Sequence, residues 1–238
     1  KVQVDNLSRK HASLYAAVSA DVMMKAKRYQ EAIPFIKIAL PQEKRKGYRP
    51  RFQFALGQLY QMYGDKTSAQ KAYEQVLKLQ PSNEMDFSAR LRLAQLSNSP
   101  KEAIKLLQKM AKLDKNKDLL DQIYGAIGDV YLAQNDTAKA LENYEKAIEE
   151  STQNGLEKAN VLITAGDIYY TQRDYVKASP CYKEATQIMS ADNDRYARIQ
   201  HRSECLDELV VEHSMVVLQD SLQRLAKLSE AEQRVVVD

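Results

Sequence analysis

The sequence predicts an all-α fold, a solenoid of stacked helix-turn-helix hairpins, and two observations carry that expectation. One short motif recurs three times: Leu56-Gly57-Gln58-Leu59-Tyr60, Ile127-Gly128-Asp129-Val130-Tyr131 and Ala165-Gly166-Asp167-Ile168-Tyr169. Each copy is followed by a turn and then by a second helix that opens near an alanine. Alignment on that small residue (Ala32, Ala69, Ala103, Ala140 and Ala178) gives steps of 37, 34, 37 and 38 residues. A unit of this length is one helical hairpin, which cannot bury its apolar face alone and does so by stacking on its neighbours.

Five hairpins are legible, over 12–46, 50–82, 84–116, 120–153 and 158–190, so the array is expected to fill 1–190. Four residues after each marker alanine stands a bulky side chain (Ile36, Tyr73, Leu107, Tyr144, Tyr182). Three further on comes another apolar one (Ala39, Val76, Met110, Ala147, Ala185). Spacings of four and seven place all three on one face of a helix. The first and third repeats are degenerate in their first helix, where Ala16/Ala20 and Arg90/Leu91 replace the motif. Ser99-Pro100-Lys101-Glu102 combines a serine cap, proline at the first helical position and glutamate at the third. Asp65 and Asp136 stand where caps are wanted, and Pro34 and Pro180 are expected near helix starts, where a missing N–H does little harm. Residues 191–228 read as a degenerate capping hairpin, Asp194 to about Glu212 and then Ser214 to Leu228. Ser229-Glu230-Ala231-Glu232 opens a further helix, cut short within 229–238.

Composition narrows the function. The 35 basic and 32 acidic residues are well mixed, with a net charge of +3; no basic tract marks a nucleic-acid surface. No apolar run approaches the ~18 residues of a membrane helix, and no signal peptide is visible. The chain opens on Lys1 and is expected to be part of a longer protein. Cys181 and Cys205 do not make a disulfide framework and read as two buried thiols. Gly125-Ala126-Ile127-Gly128 lies within a helix and is explained by packing, not by phosphate binding. His201, Cys205 and Glu208 or Glu212 share ligand-like helical spacing, but one His and one Cys on a packing face do not define a metal centre. No metal or cofactor is expected, no catalytic residue is assigned, and an enzyme is not expected.

On these residues the chain resembles the tetratricopeptide-repeat family, whose Leu-Gly…Tyr…Ala…aromatic…Ala…Pro pattern matches Leu56, Gly57, Tyr60, Ala69, Tyr73, Val76 and Pro81. The resemblance implies a right-handed superhelical solenoid that binds extended peptides or proteins along the concave face of its first helices. It places Asp21, Phe54, Gln58, Asp129, Ile163, Asp167 and Tyr170 in that groove. The aspartates there favour a basic ligand segment. The chaperone-tail clamp of the family is not expected, because Asp21 and Gln58 replace its asparagines and Met85 and Ala89 its basic residues.

Three stretches are more specific: Met110 to Tyr124, Arg173 to Tyr182 and Leu218 to Glu230. These look like the PorW/SprE lipoproteins of Bacteroidetes, over essentially the whole chain. That resemblance implies a non-enzymatic scaffold on the periplasmic face of the outer membrane. It would serve type IX protein secretion and, in gliding species, motility, with secretion-machine proteins as partners. The alternative is a peptide-binding regulator or cochaperone-like adaptor.

Overall fold

In a computed structural model the described residues are 9–152 and 155–228. They form helices joined by short turns, and the chain divides into two compact units, Lys1–Asn116 and Lys117–Asp238. The first contains α1 (Arg9–Lys25), α2 (Tyr29–Ala39), α3 (Arg49–Tyr63), α4 (Lys66–Lys78), α5 (Asn83–Gln95) and α6 (Pro100–Ala111). The second contains α7 (Leu120–Leu132), α8 (Thr137–Glu149), α9 (Leu156–Thr171), α10 (Tyr175–Ile188) and α11 (Tyr196–Ala226). Consecutive helices pair as hairpins: α1 with α2, α3 with α4, α5 with α6, α7 with α8 and α9 with α10. Within each unit successive hairpins also pack, α2 on α3 and α4 on α5 in the first, α8 on α9 and α10 on α11 in the second. Among the described residues no helix is long and apolar enough to cross a membrane.

The alanine register is the seam of every hairpin. All fifteen side chains of the three-position stripe are buried. The tyrosines at the middle position press against the opposite glycines. A Cβ on Gly57 would lie 2.7 Å from the Tyr73 ring, and one on Gly128 2.5 Å from the Tyr144 ring. These glycines are needed for close approach, and they outweigh a propensity cost of about 1 kcal/mol each.

Four of the five turns between paired helices share one geometry, that between α5 and α6 being the exception. Lys27, Gly64, Asn135 and Arg173 all adopt positive φ, at 58°, 92°, 61° and 62°. Each directly precedes the N-cap of the second helix. Asp65, Asp136 and Asp174 then accept the backbone N–H of Ser68, Lys139 and Lys177 at 2.9, 3.1 and 3.2 Å. Ser99 caps α6 through Glu102 N–H as expected, and Asn116, buried, donates to Met110 O at 2.8 Å beyond the end of that helix.

Two expectations are corrected. The region read as a capping hairpin is one continuous 31-residue helix, α11. No Gly or Pro stands near Glu212-His213-Ser214 to turn the chain, so the i→i+4 ladder runs through. Only Ile199, Ser203 and Leu206 of α11 are buried, and every residue from Val211 to Arg224 is exposed. The buried part is tied to α10 by Ser179, whose hydroxyl donates to Asp207 at 2.6 Å, and by Lys183 at 3.1 Å. Pro34 and Pro180 lie inside α2 and α10, each at the sixth helical position. Both are exposed, as are Gln30 and Val176 four residues earlier, so water can take up the carbonyls the prolines leave unbonded. The helix start read at Ser229 lies outside the described residues.

Candidate protein-interaction groove

The seven residues assigned to the groove fall on α1, α3, α7 and α9, and the structure gives them different roles. In the first unit Asp21 is exposed and ion-paired to Lys25, one turn on, at 2.8 Å. It borders an open hollow of about 250 Å³ between α1 and α3, with Met24, Tyr48, Arg51 and Phe52. Phe54 is half-buried with its ring 5.2 Å from that of Tyr73. Gln58 is half-buried as well. Of the positions weighed against the chaperone clamp, Ala89 is fully buried.

In the second unit Asp129, Asp167 and Tyr170 reach the surface, whereas Ile163 does not. Only 3% of Ile163 is exposed, and it belongs to the core with Leu162, Tyr144 and Tyr182. Its assignment to the groove is therefore corrected: α9 is packed on both sides, and its β-branched residue serves that packing.

Asp129 and Asp167 each accept a hydrogen bond from the tyrosine fifteen residues later. Tyr144 donates to Asp129 Oδ1 at 2.8 Å and Tyr182 to Asp167 Oδ1 at 2.6 Å. Burial pushes both phenols above their ordinary range, and the carboxylates push them further. Asp129 keeps solvent-exposed surface, yet the protein packed around its carboxyl raises its pKa, with the Tyr144 hydroxyl pulling the other way. In the first unit Tyr73 departs from this scheme. Its hydroxyl donates to Gln61 at 3.1 Å, and burial pushes it up to about 12.

Arg202 of α11 completes the Asp167 site. Its Nη1 donates to Asp167 Oδ1 at 2.6 Å and to the Tyr182 oxygen at 3.1 Å. Its guanidinium also lies 4.7 Å from the centre of the Tyr170 ring, a cation–π distance. Edge-to-face contacts continue from Tyr170 to Tyr175 at 5.7 Å and from Tyr175 to His213 at 6.3 Å. The basic group that the aspartates were expected to recruit is thus supplied at Asp167 by the chain itself. Sequence reasoning missed Arg202, Tyr182 and Tyr144 as polar partners. The fifteen-residue Asp-to-Tyr spacing was visible, but nothing in it distinguishes a packing tyrosine from one that donates.

The cysteines are both free; Cys181 is half-buried and Cys205 exposed, which corrects the expectation of two buried thiols. Burial pushes the Cys181 thiol up to about 11. Cys205 Sγ lies 3.8 Å from His201 Nε2. Among the described residues no three His, Cys, Asp or Glu side chains converge as a metal site.

Residues 50–83 and 119–191 match family models described as tetratricopeptide repeat. Those residues carry tetratricopeptide repeats, and the described residues have the all-helical fold of stacked hairpins seen in tetratricopeptide-repeat solenoids. Its fold is similar to that of a tetratricopeptide repeat protein from Parabacteroides merdae (14% identity, TM-score 0.59, covering 83% of this chain and 77% of that one). It is also similar to pilF of Pseudomonas aeruginosa (17% identity, TM-score 0.54, 96% and 97% covered). BtubC from P. vanneervenii is a third neighbour (19% identity, TM-score 0.52, 76% and 80% covered). At these identities the likeness concerns the fold. No curated protein matches the sequence.

Proposed function

We propose that the chain is a non-enzymatic scaffold of the type IX secretion machinery, serving gliding motility where the host glides. In this reading it belongs to a lipoprotein held at the periplasmic face of the outer membrane by an anchor outside the sequence described. The observation that carries the reading is the resemblance to PorW/SprE lipoproteins over Met110 to Tyr124, Arg173 to Tyr182 and Leu218 to Glu230. The structure adds a physical rationale. Leu218 and Leu222 in the last of these stretches are 59% and 55% exposed on α11, apolar area of the kind a protein partner covers.

The test is affinity purification of the tagged full-length protein from envelopes of its native host, followed by mass spectrometry. Recovery of type IX components, lost when this repeat block is deleted, is the expected result. Recovery of soluble chaperones or regulators alone overturns it. A peptide-binding regulator is the second reading, favoured by the partly exposed Asp129 on the first helix of its hairpin.

A further inference from the structure

Among its described residues the second unit contains the same constellation twice, and only one copy holds a cation. In the α9–α10 hairpin, Asp167 accepts from Tyr182, and the Arg202 guanidinium bonds both the carboxylate and the phenol oxygen. In the α7–α8 hairpin, Asp129 accepts from Tyr144 with the same spacing and a similar distance, 2.8 Å against 2.6 Å. The tyrosine proton is spent on the carboxylate in both cases. Lone pairs on the phenol oxygen and on the second carboxylate oxygen are then left for an incoming donor.

The first helix of the next hairpin, the counterpart of α11, does not supply that donor to Asp129. The sole basic residue of α9 is Lys158, and its ammonium is 2.6 Å from Glu184 of α10. Lys139, on α8, is held by Asp136 at 2.8 Å. The Asp129 carboxylate remains partly exposed, so an external group can reach it.

We propose that Asp129 and Tyr144 form a receptor for an arginine side chain of a protein partner, with Arg202 on Asp167 as its counterpart within the chain. This rests on the protein-interaction reading above and names the chemistry of the contact. Arginine is favoured over lysine because a planar fork of N–H donors can address a carboxylate and a neighbouring oxygen together. Arg202 does so with a single nitrogen. One difference sets the affinity. Leu132 stands three residues after Asp129 where Tyr170 stands after Asp167, so the arginine stem meets an aliphatic surface in place of an aromatic face.

The probes are Nα-acetyl-arginine methylamide and its neutral isostere, Nα-acetyl-citrulline methylamide, titrated into the isotope-labelled full chain and followed by amide NMR. The arginine compound is expected to shift the signals of Gly128, Asp129 and Val130 and to saturate at about tenfold lower concentration than citrulline. Asp129→Asn, which keeps an acceptor for Tyr144, is expected to abolish that preference. Equal response to the two compounds, or a preference that survives Asp129→Asn, overturns the proposal. Either result leaves the secretion-scaffold reading to its own test, since that reading fails only in the envelope purification.

Discussion

Tyr144 and Asp129 are joined across the α7–α8 hairpin by a 2.8 Å hydrogen bond, directly beside the glycine against which the Tyr144 ring is pressed. One side chain therefore fills the seam with its ring and reaches Asp129 with its hydroxyl.

Gly128→Ala is expected to destabilise the chain more than Gly166→Ala. The new methyl meets the Tyr144 ring at 2.5 Å in the first case and finds its nearest neighbour at 3.2 Å in the second. Overpacking of this kind costs about 1–3 kcal/mol, from which the helix propensity of alanine returns up to about 1. Thermal denaturation of the two variants checks the order, and equal melting temperatures refute it.

Asp129→Asn is expected to raise stability at neutral pH and to match the parent in acid. The folded-state pKa of Asp129 lies above its ordinary value because burial disfavours the charged form. Such a group contributes stability that is complete below the unfolded pKa and lost as pH rises through the folded one. The gain at pH 7 is expected to be below about 1 kcal/mol, since water still reaches the residue. Urea titrations at pH 3 and pH 7 measure it.

Arg202→Ala is expected to cost about 1–2 kcal/mol, reduced from the value of a fully buried pair by partial exposure. Arg202→Lys is expected to recover little, because an ammonium cannot both stack on Tyr170 and bridge Asp167 to Tyr182. Hydrogen exchange locates the effect: amides near Ile199 and Leu206 lose protection, whereas those of α3 and α4 keep theirs.

Arg173→Gly is expected to stabilise by up to about 1 kcal/mol. The left-handed conformation at φ 62° is costly for a residue with a Cβ and free for glycine, although glycine gains entropy in the unfolded chain. Asn135→Gly is expected to change less, since asparagine visits that region readily. A larger gain at Asn135 in paired melting curves contradicts this.

Leu206→Ala and Leu218→Ala separate the two halves of α11. Leu206 is 2% exposed and its truncation is expected to cost about 2–5 kcal/mol. Leu218 is 59% exposed and its truncation is expected to stay within about 0.5 kcal/mol. Equal costs in denaturant titrations show that the far half of α11 is covered in solution.

The hairpins were legible because their seam repeats: a small residue, a bulky one four on and an apolar one seven on set the same face in each second helix. The caps at Asp65 and Asp136 were legible for a local reason, since one side chain and one N–H three residues later complete the motif. The length of α11 was not. Loss of the alanine signature looks alike in a worn hairpin and in a helix that no longer has a partner. Ile163 was misplaced because a register inherited from a family pattern assigns a face without knowing what packs against it. Arg202 was missed because its partners lie 35 and 20 residues away on two other helices, a coincidence in space that no single periodicity encodes.

The continuity of α11 gives the protein a lever. From Asp207 to Ala226 the helix runs about 30 Å at 1.5 Å per residue. Beyond Asp207 it still meets α10 through the edge-to-face pair of His213 with Tyr175. A force applied at Leu222 reaches α10 chiefly through the burial of Ile199 and Leu206, the Ser179–Asp207 bond and the grip of Arg202 on Asp167 and Tyr182. Whatever grasps the far end of this rod therefore pulls on Asp167, so mechanical load and the occupancy of that carboxylate share one fulcrum.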